Sequence, residues 1–214
     1  MRKKHDQMIL TICLFLIFFG IVMVSHNFFM EQKLEVFNQM NLKLYSLEGD
    51  DEDEDKTNVS VEVDTKDVQT EETPDTTTQI EPREYIATLQ IPAISLRLGL
   101  VSPESKYNDI NYNIAIISPS TMPDVEKGNL IIAGHSGTGY LAFFRNLYKL
   151  QKGAQASVVY QQKKYTYRLV NIYFEEKTGY VSIYRDINKK TLTLITCTKD
   201  NDKMQTVYIF EEMV

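Results

Sequence analysis

Between Glu48 and Arg83 the chain has no aromatic residue, and 14 acidic side chains, from Glu48 to Glu81, stand against two basic ones, Lys56 and Lys66. Such a stretch cannot bury enough apolar surface to offset the entropy of ordering its backbone, so its composition predicts disorder. It therefore limits where a core can form. What remains for a globular fold is residues 84–214, a length of 131 that suits one domain with one core. Residues 1–83 carry 8 basic and 17 acidic side chains, net −9, and residues 84–214 carry 15 and 12, net +3. The acidity of the whole chain thus belongs to the acidic stretch, not to the domain. The domain shows no basic stripe with aromatic platforms, which excludes nucleic acid as its partner. Calcium is disfavoured as well, because the run Asp50–Asp55 lacks the glycine-containing spacing of an EF-hand loop.

Ahead of the acidic stretch lies a second constraint. Residues 1–7 form a basic tail with Arg2, Lys3 and Lys4, and apolar residues fill Met8–Val24. Those 17 residues stand at the short end of a membrane-spanning helix. Segment 8–25 is expected to be a single-pass anchor, and the positive-inside bias puts the N-terminus in the cytoplasm and the domain outside the cell. A small-x-small cleavage site is missing from Ile21–Asn27, which argues against a removed signal peptide. Phe28, Phe29, Leu34, Phe37 and Leu44 can prolong the helix as an amphipathic stalk. Residues 26–83 as a whole then read as an acidic stalk holding the domain off the membrane.

Within 84–214, short β-patterned runs recur at 85–91, 95–101, 114–118, 129–133, 156–161, 166–174, 180–184, 191–197 and 206–211. A hairpin turn is expected at Gln162-Lys163-Lys164. Leu141, Phe144, Leu147, Tyr148 and Leu150 follow helical spacing up to Gly153, which predicts a helix over 141–150. Many short strands with one such helix, and no internal repeat, predict a mainly β fold, either a sandwich or a closed barrel.

Two strand ends carry reactive side chains. Thr191–Cys197 alternates, so Thr193, Ile195 and Cys197 share one face, while Leu192, Leu194 and Thr196 share the other. The other cysteine of the chain, Cys13, lies in the apolar anchor, so the domain owns one thiol without a partner. Of the three histidines, His5 and His26 flank the anchor. His135 follows the apolar run Asn129–Ala133 within Gly134-His135-Ser136-Gly137. A lone cysteine is more often a small buried hydrophobe. A cysteine and a histidine that each end a strand make a different pattern, because an imidazolium stabilises a thiolate and can donate a proton to a leaving group. One cysteine and one histidine fall short of a tetrahedral metal site.

Thr193-Leu-Ile-Thr-Cys197 resembles the T-L-x-T-C signature of the sortases, cysteine transpeptidases of Gram-positive cell surfaces. Leu130-Ile-Ile-Ala-Gly-His135 is similar to their strand-then-histidine segment, and the resemblance runs from about Tyr85 through Ile91-Pro92 to the C-terminus. It implies one closed barrel of about eight strands with one or two short helices behind a membrane helix, and no cofactor or metal. It also implies that Cys197 attacks the Thr–Gly carbonyl of an LPXTG-like sorting signal while His135 handles the proton. A cell-wall precursor amine or a pilin lysine then takes the acyl group.

The family places an arginine some eight to a dozen residues after the cysteine, yet no arginine follows Cys197. Strand alignment puts Gln205 at that position, with Lys203 as the charged alternative. The 62 residues from His135 to Cys197 leave little room for an inserted helix of the class B type. With no Asp-Pro-aromatic lid ahead of the domain and no second span behind it, the resemblance implies a class A/D-like anchoring enzyme. Two other readings stand beside it: a catalytically weak sortase-like protein that binds sorting signals, and a β-barrel adhesin in which the Cys–His pairing is coincidence.

Overall fold

The computed structural model describes residues 2–48 and 83–213, so the expectation of disorder over most of the acidic stretch lies outside the described residues. Helix α1 spans Arg2–Glu48, a stretch without proline. Its Ile12–Met40 portion is long and apolar enough to cross a membrane.

The last turns of α1 do not stand clear of the domain. Phe37, Asn38 and Leu42 are buried, and Leu42 packs with Tyr85, Val101 and Tyr107. The Tyr85 hydroxyl donates to Asn38 Oδ1 at 3.2 Å. The Arg83 guanidinium lies 5.1 Å from the centre of the Phe37 ring and 5.5 Å from that of Tyr107. Gly99 makes room for this contact, since a Cβ there would come within 2.2 Å of the Tyr85 ring.

Eight strands follow among the described residues: β1 Tyr85–Ile91, β2 Leu96–Val101, β3 Ala115–Ile116, β4 Asn129–Ala133, β5 Gln155–Tyr160, β6 Lys163–Glu176, β7 Thr191–Thr198 and β8 Asn201–Glu212. They form one sheet in the order β2-β1-β5-β6-β8-β7-β4-β3, which curls into a nearly closed barrel. Every pairing is antiparallel except β4 with β7. Alternation explains the filling. Leu192 and Leu194 of β7 join Leu130, Ile132, Leu89, Leu169 and Phe210 in the interior. Ile195 joins Ile131, Val207 and Ile209 in a separate cluster on the outer face of the sheet.

Three local expectations are corrected. Residues 141–150 are not an α-helix but a chain of turns ending in a 3-10 turn at Leu147–Lys149. Their bonds run three residues back, Leu147 N–H to the Phe144 carbonyl and Leu150 N–H to the Leu147 carbonyl. That period of three sends Phe144, Leu147 and Leu150 into the core and mimics helical spacing.

Residues 180–184 join no sheet. They form an extended strap whose Val181 and Ile183 cover the outer apolar cluster. Lying across the sheet face and not along its edge, the strap has its backbone held by side chains. The Tyr173 hydroxyl donates to the Ser182 carbonyl at 2.6 Å and accepts from Tyr184 N–H at 3.0 Å. Glu175 Oε2 accepts from Ser182 N–H at 2.8 Å.

Finally, the β5–β6 hairpin turns at Gln161-Gln162, both with positive φ, and Lys163 already pairs with Tyr160. Two consecutive left-handed residues match the twist of a two-residue hairpin.

Candidate active site

The parallel β4–β7 pair sets the geometry. Its register is constant, from Asn129 opposite Thr191 to Ala133 opposite Ile195, an offset of 62 residues. Continued by two residues past the strand, that offset would match His135 with Cys197. Three bonds carry the register past the end of β4. Gly134 N–H donates to the Ile195 carbonyl at 3.2 Å. The Thr196 hydroxyl donates to the Gly134 carbonyl and the Ser136 hydroxyl to the Cys197 carbonyl, each at 2.8 Å. The main chain on both sides of His135 is thereby tied to the strand that ends in the thiol.

From the other direction, Phe144 N–H donates to the His135 carbonyl at 2.9 Å. Phe144 also explains the glycine before the histidine: a Cβ at Gly134 would lie 2.9 Å from its ring. At the opposite end of the pair, buried Asn129 Oδ1 accepts from the hydroxyls of Thr191 and Thr193 at 3.0 and 2.9 Å. The two strands are thus bolted at both ends. His135 and Cys197 are each half-buried.

Gln205 of β8 pairs directly with Cys197, and Glu175 of β6 pairs with Gln205. Cross-strand partners share a face, so Cys197, Gln205 and Glu175 form one row across three neighbouring strands, with His135 just past the end of the fourth, β4. Gln205 Nε2 donates to the Tyr180 carbonyl at 3.3 Å. The row therefore runs beneath the strap, held to it by Gln205 and Glu175. Lys203, two residues nearer the β7–β8 turn, is exposed, and its carbonyl accepts from Lys177 N–H at 2.9 Å.

Cys197 also borders a cavity of about 710 Å³ walled by Ser136, Arg145, Tyr148, Lys177 and Lys199. Neither His135 nor Gln205 lines it, so it approaches the thiol from the β7–β8 turn, away from the strap. The Lys199 ammonium stacks 4.0 Å over the Tyr148 ring in that wall.

Sequence reasoning singled out Cys197, His135, Gln205 and Lys203; in the sheet Gln205 pairs with Cys197, and His135 follows the end of β4. It missed Glu175, Tyr173 and Ser136. Ser136 adjoins the histidine motif and was within reach, but the pairing of Glu175 with Gln205 depends on a long-range register that no local pattern carries.

A family model described as Sortase domain matches residues 89–212. Among solved structures, the chain is similar to a Clostridium perfringens sortase D5 transpeptidase at 25% identity, covering 61% of this chain and 80% of that one with a TM-score of 0.52. A lid mutant of sortase A from Corynebacterium diphtheriae is 22% identical over 64% of this chain and 74% of that one, TM-score 0.55. A lid mutant of Streptococcus agalactiae sortase C1 is 16% identical over 61% and 70%, TM-score 0.53. The last two likenesses concern the fold. No curated protein sequence matches the chain.

Proposed function

Since the chain belongs to the sortase family, we propose that it is a membrane-anchored cysteine transpeptidase in which Cys197 is the nucleophile and His135 the acid–base partner. The observation that supports this reading is the β4–β7 register, which, continued two residues past the end of β4, matches His135 with Cys197, together with the bond from the Ser136 hydroxyl to the Cys197 carbonyl.

In the first half-reaction, Cys197 Sγ as thiolate attacks the Thr–Gly carbonyl carbon of an LPXTG-like sorting signal. The tetrahedral intermediate collapses, the C–N bond breaks, and the amine departs with a proton from the His135 imidazolium. A thioester on Cys197 remains. In the second half, an acceptor amine attacks that thioester, His135 takes the amine proton, and the thiolate is released. Splitting amide exchange into two acyl transfers replaces one hard step with two easier ones. The acceptor is the amine of a cell-wall precursor or of a pilin lysine, and the enzyme is of the class A/D-like anchoring type. Helix α1 holds it in the cell membrane, with the N-terminus cytoplasmic and the barrel outside.

Gln205, at the family's arginine position, offers a neutral donor to the developing oxyanion, with Lys203 as the charged alternative. One Gln205 N–H is engaged by the Tyr180 carbonyl. An amide nitrogen has two N–H groups, so the second is available to substrate. The same observation favours a second reading, in which Gln205 serves the strap and the chain binds sorting signals with little turnover.

Mass spectrometry of the purified protein after incubation with sorting-signal peptides separates the two. A transpeptidase gains the acyl mass at Cys197, Cys197→Ala gains none, and His135→Ala loses several orders of magnitude in turnover because the pair acts as a unit. Cys13→Ala behaves as the wild type. A Cys197→Ala protein that still cleaved peptide would overturn the nucleophile assignment.

A further inference from the structure

On the outer face of the sheet, the rung next to Cys197, Gln205 and Glu175 is apolar. Ala133 pairs with Ile195, Ile195 with Val207, and Val207 with Tyr173. Successive residues on one face of a strand lie ~7 Å apart, so this apolar rung adjoins the thiol. It is already covered, because Val181 and Ile183 of the strap pack on it. These two stand two residues apart on an extended backbone, which sends both side chains to one side. An extended peptide with its scissile carbonyl at Cys197 presents alternate side chains to the sheet in the same way. The strap therefore occupies the place of such a peptide.

Its fastening is of a kind that can be undone. Among the described residues, the main-chain groups of Tyr180–Tyr184 bond only to side chains. The Tyr173 hydroxyl holds the Ser182 carbonyl and Tyr184 N–H, and Glu175 holds Ser182 N–H. Gln205 Nε2 and the Thr178 hydroxyl reach the Tyr180 carbonyl at 3.3 and 3.5 Å. None of these bonds belongs to a ladder, so releasing them leaves the sheet intact. The flanks are fastened separately. Lys177 N–H donates to the Lys203 carbonyl at 2.9 Å, and the Arg185 guanidinium donates to the Lys127 and Lys189 carbonyls, each at 3.2 Å. The strap can thus lift between fixed ends.

We propose that residues 180–184 are a built-in competitor for the sorting signal, an autoinhibitory strap that the incoming peptide displaces from the apolar rung beside Cys197. The proposal rests on the reading of this site as one that meets sorting-signal peptides. Gln205 couples the two events, since lifting the strap frees the N–H that the Tyr180 carbonyl engages. A peptide that binds only the lifted form has its apparent affinity lowered by the fraction of strap that is lifted.

Tyr173→Phe keeps the ring on the outer cluster and removes the hydroxyl that makes two of the bonds, which should raise the lifted fraction about tenfold. Val181→Ser combined with Ile183→Ser weakens the packing and alters no strand. The first readout is alkylation of Cys197 by N-phenylmaleimide, whose ring gains from apolar surface, relative to iodoacetamide, followed by mass spectrometry of the Cys197 peptide. The second is the affinity of an LPXTG-like peptide in a Cys197→Ala background, where no acyl transfer can occur. The preference for N-phenylmaleimide and the peptide affinity are both expected to rise about tenfold in each strap variant. An unchanged preference in both variants overturns the strap as a cover of the rung. A raised preference with peptide affinity that falls, stays level or is absent overturns the competition; a fall makes the strap a wall of the peptide site instead. Acylation of the wild type without these gains sinks this proposal alone, and the gains without acylation sink the transpeptidase reading alone.

Discussion

Thr196→Val tests how the two strands hold the site. The substitution keeps the branched shape of a strand residue and removes one hydroxyl, the donor that reaches the Gly134 carbonyl at 2.8 Å. Thr196 is 6% exposed and Gly134 is buried, so water cannot replace the lost donor. An intramolecular hydrogen bond contributes about 1 kcal/mol net, and a buried group left unmet costs ~1–3 kcal/mol. A second bond, Gly134 N–H to the Ile195 carbonyl, survives the change and limits the damage. The expected loss is about 1 to 2 kcal/mol of folding stability. The catalytic effect should be larger, since His135 is the next residue and a misplacement of ~1 Å can lower a rate by roughly 10². Denaturant unfolding and peptide-cleavage kinetics on the purified protein read the two effects, with Thr196→Ser as the control that restores the hydroxyl. If Thr196→Val matched wild type in both, or if Thr196→Ser failed as badly as Thr196→Val, the bond would not be what positions His135. A fall in turnover with unchanged stability would instead put Thr196 in contact with substrate.

Two further outcomes are expected. Gln205→Ala should lower peptide turnover by a factor of roughly 10² to 10³, the usual loss for a single oxyanion donor; an unaffected Gln205→Ala beside a crippled Lys203→Ala would transfer the role to the lysine. At alkaline pH, burial pushes the Tyr208 phenol from 10.0 up to about 12 and moves Tyr167 the same way. In the unfolded chain both ionise at the ordinary value while the folded barrel keeps them protonated. Their contribution is therefore intact below pH 10.0 and is lost as pH rises toward about 12. Urea midpoints measured from neutral pH to pH 11 should show a plateau and then a decline that Tyr208→Phe makes shallower. A flat profile through that window would refute the burial argument.

The strands that carry the thiol and the histidine were legible because both alternate or run apolar and both stop abruptly at polar or glycine-rich residues. Leu192 and Leu194 point inward and Ile195 outward as simple alternation requires. The strap was misread for the same reason that β7 was read correctly. Val181 and Ile183 alternate like a strand, but the surface they cover is the outer face of a sheet whose ladders were already complete. Periodicity records which side chains are buried, not which backbone groups are paired. The turns at 141–150 repeat the lesson with period three in place of 3.6. Of the site candidates, Cys197 and His135 came from motifs and Gln205, with Lys203 as alternative, from strand alignment with the family's arginine, whereas Glu175 enters through the β6–β8 register, set by residues some thirty positions apart. The docking of α1 was invisible, because Phe37 reads equally well as one side of a free amphipathic stalk.

The stacking of Arg83 on Phe37 also has a mechanical consequence. Residues 49–82 leave α1 at Glu48, and the chain is back against α1, eleven residues upstream of that exit, by Arg83. Eleven helical residues measure ~17 Å, whereas 34 residues of chain have a contour of roughly 115 Å. The contour available to that chain is thus several times the gap between the two points, so the contacts of Phe37, Asn38 and Leu42 with the barrel are what hold it against the helix. A pull on the barrel away from the membrane loads those contacts first.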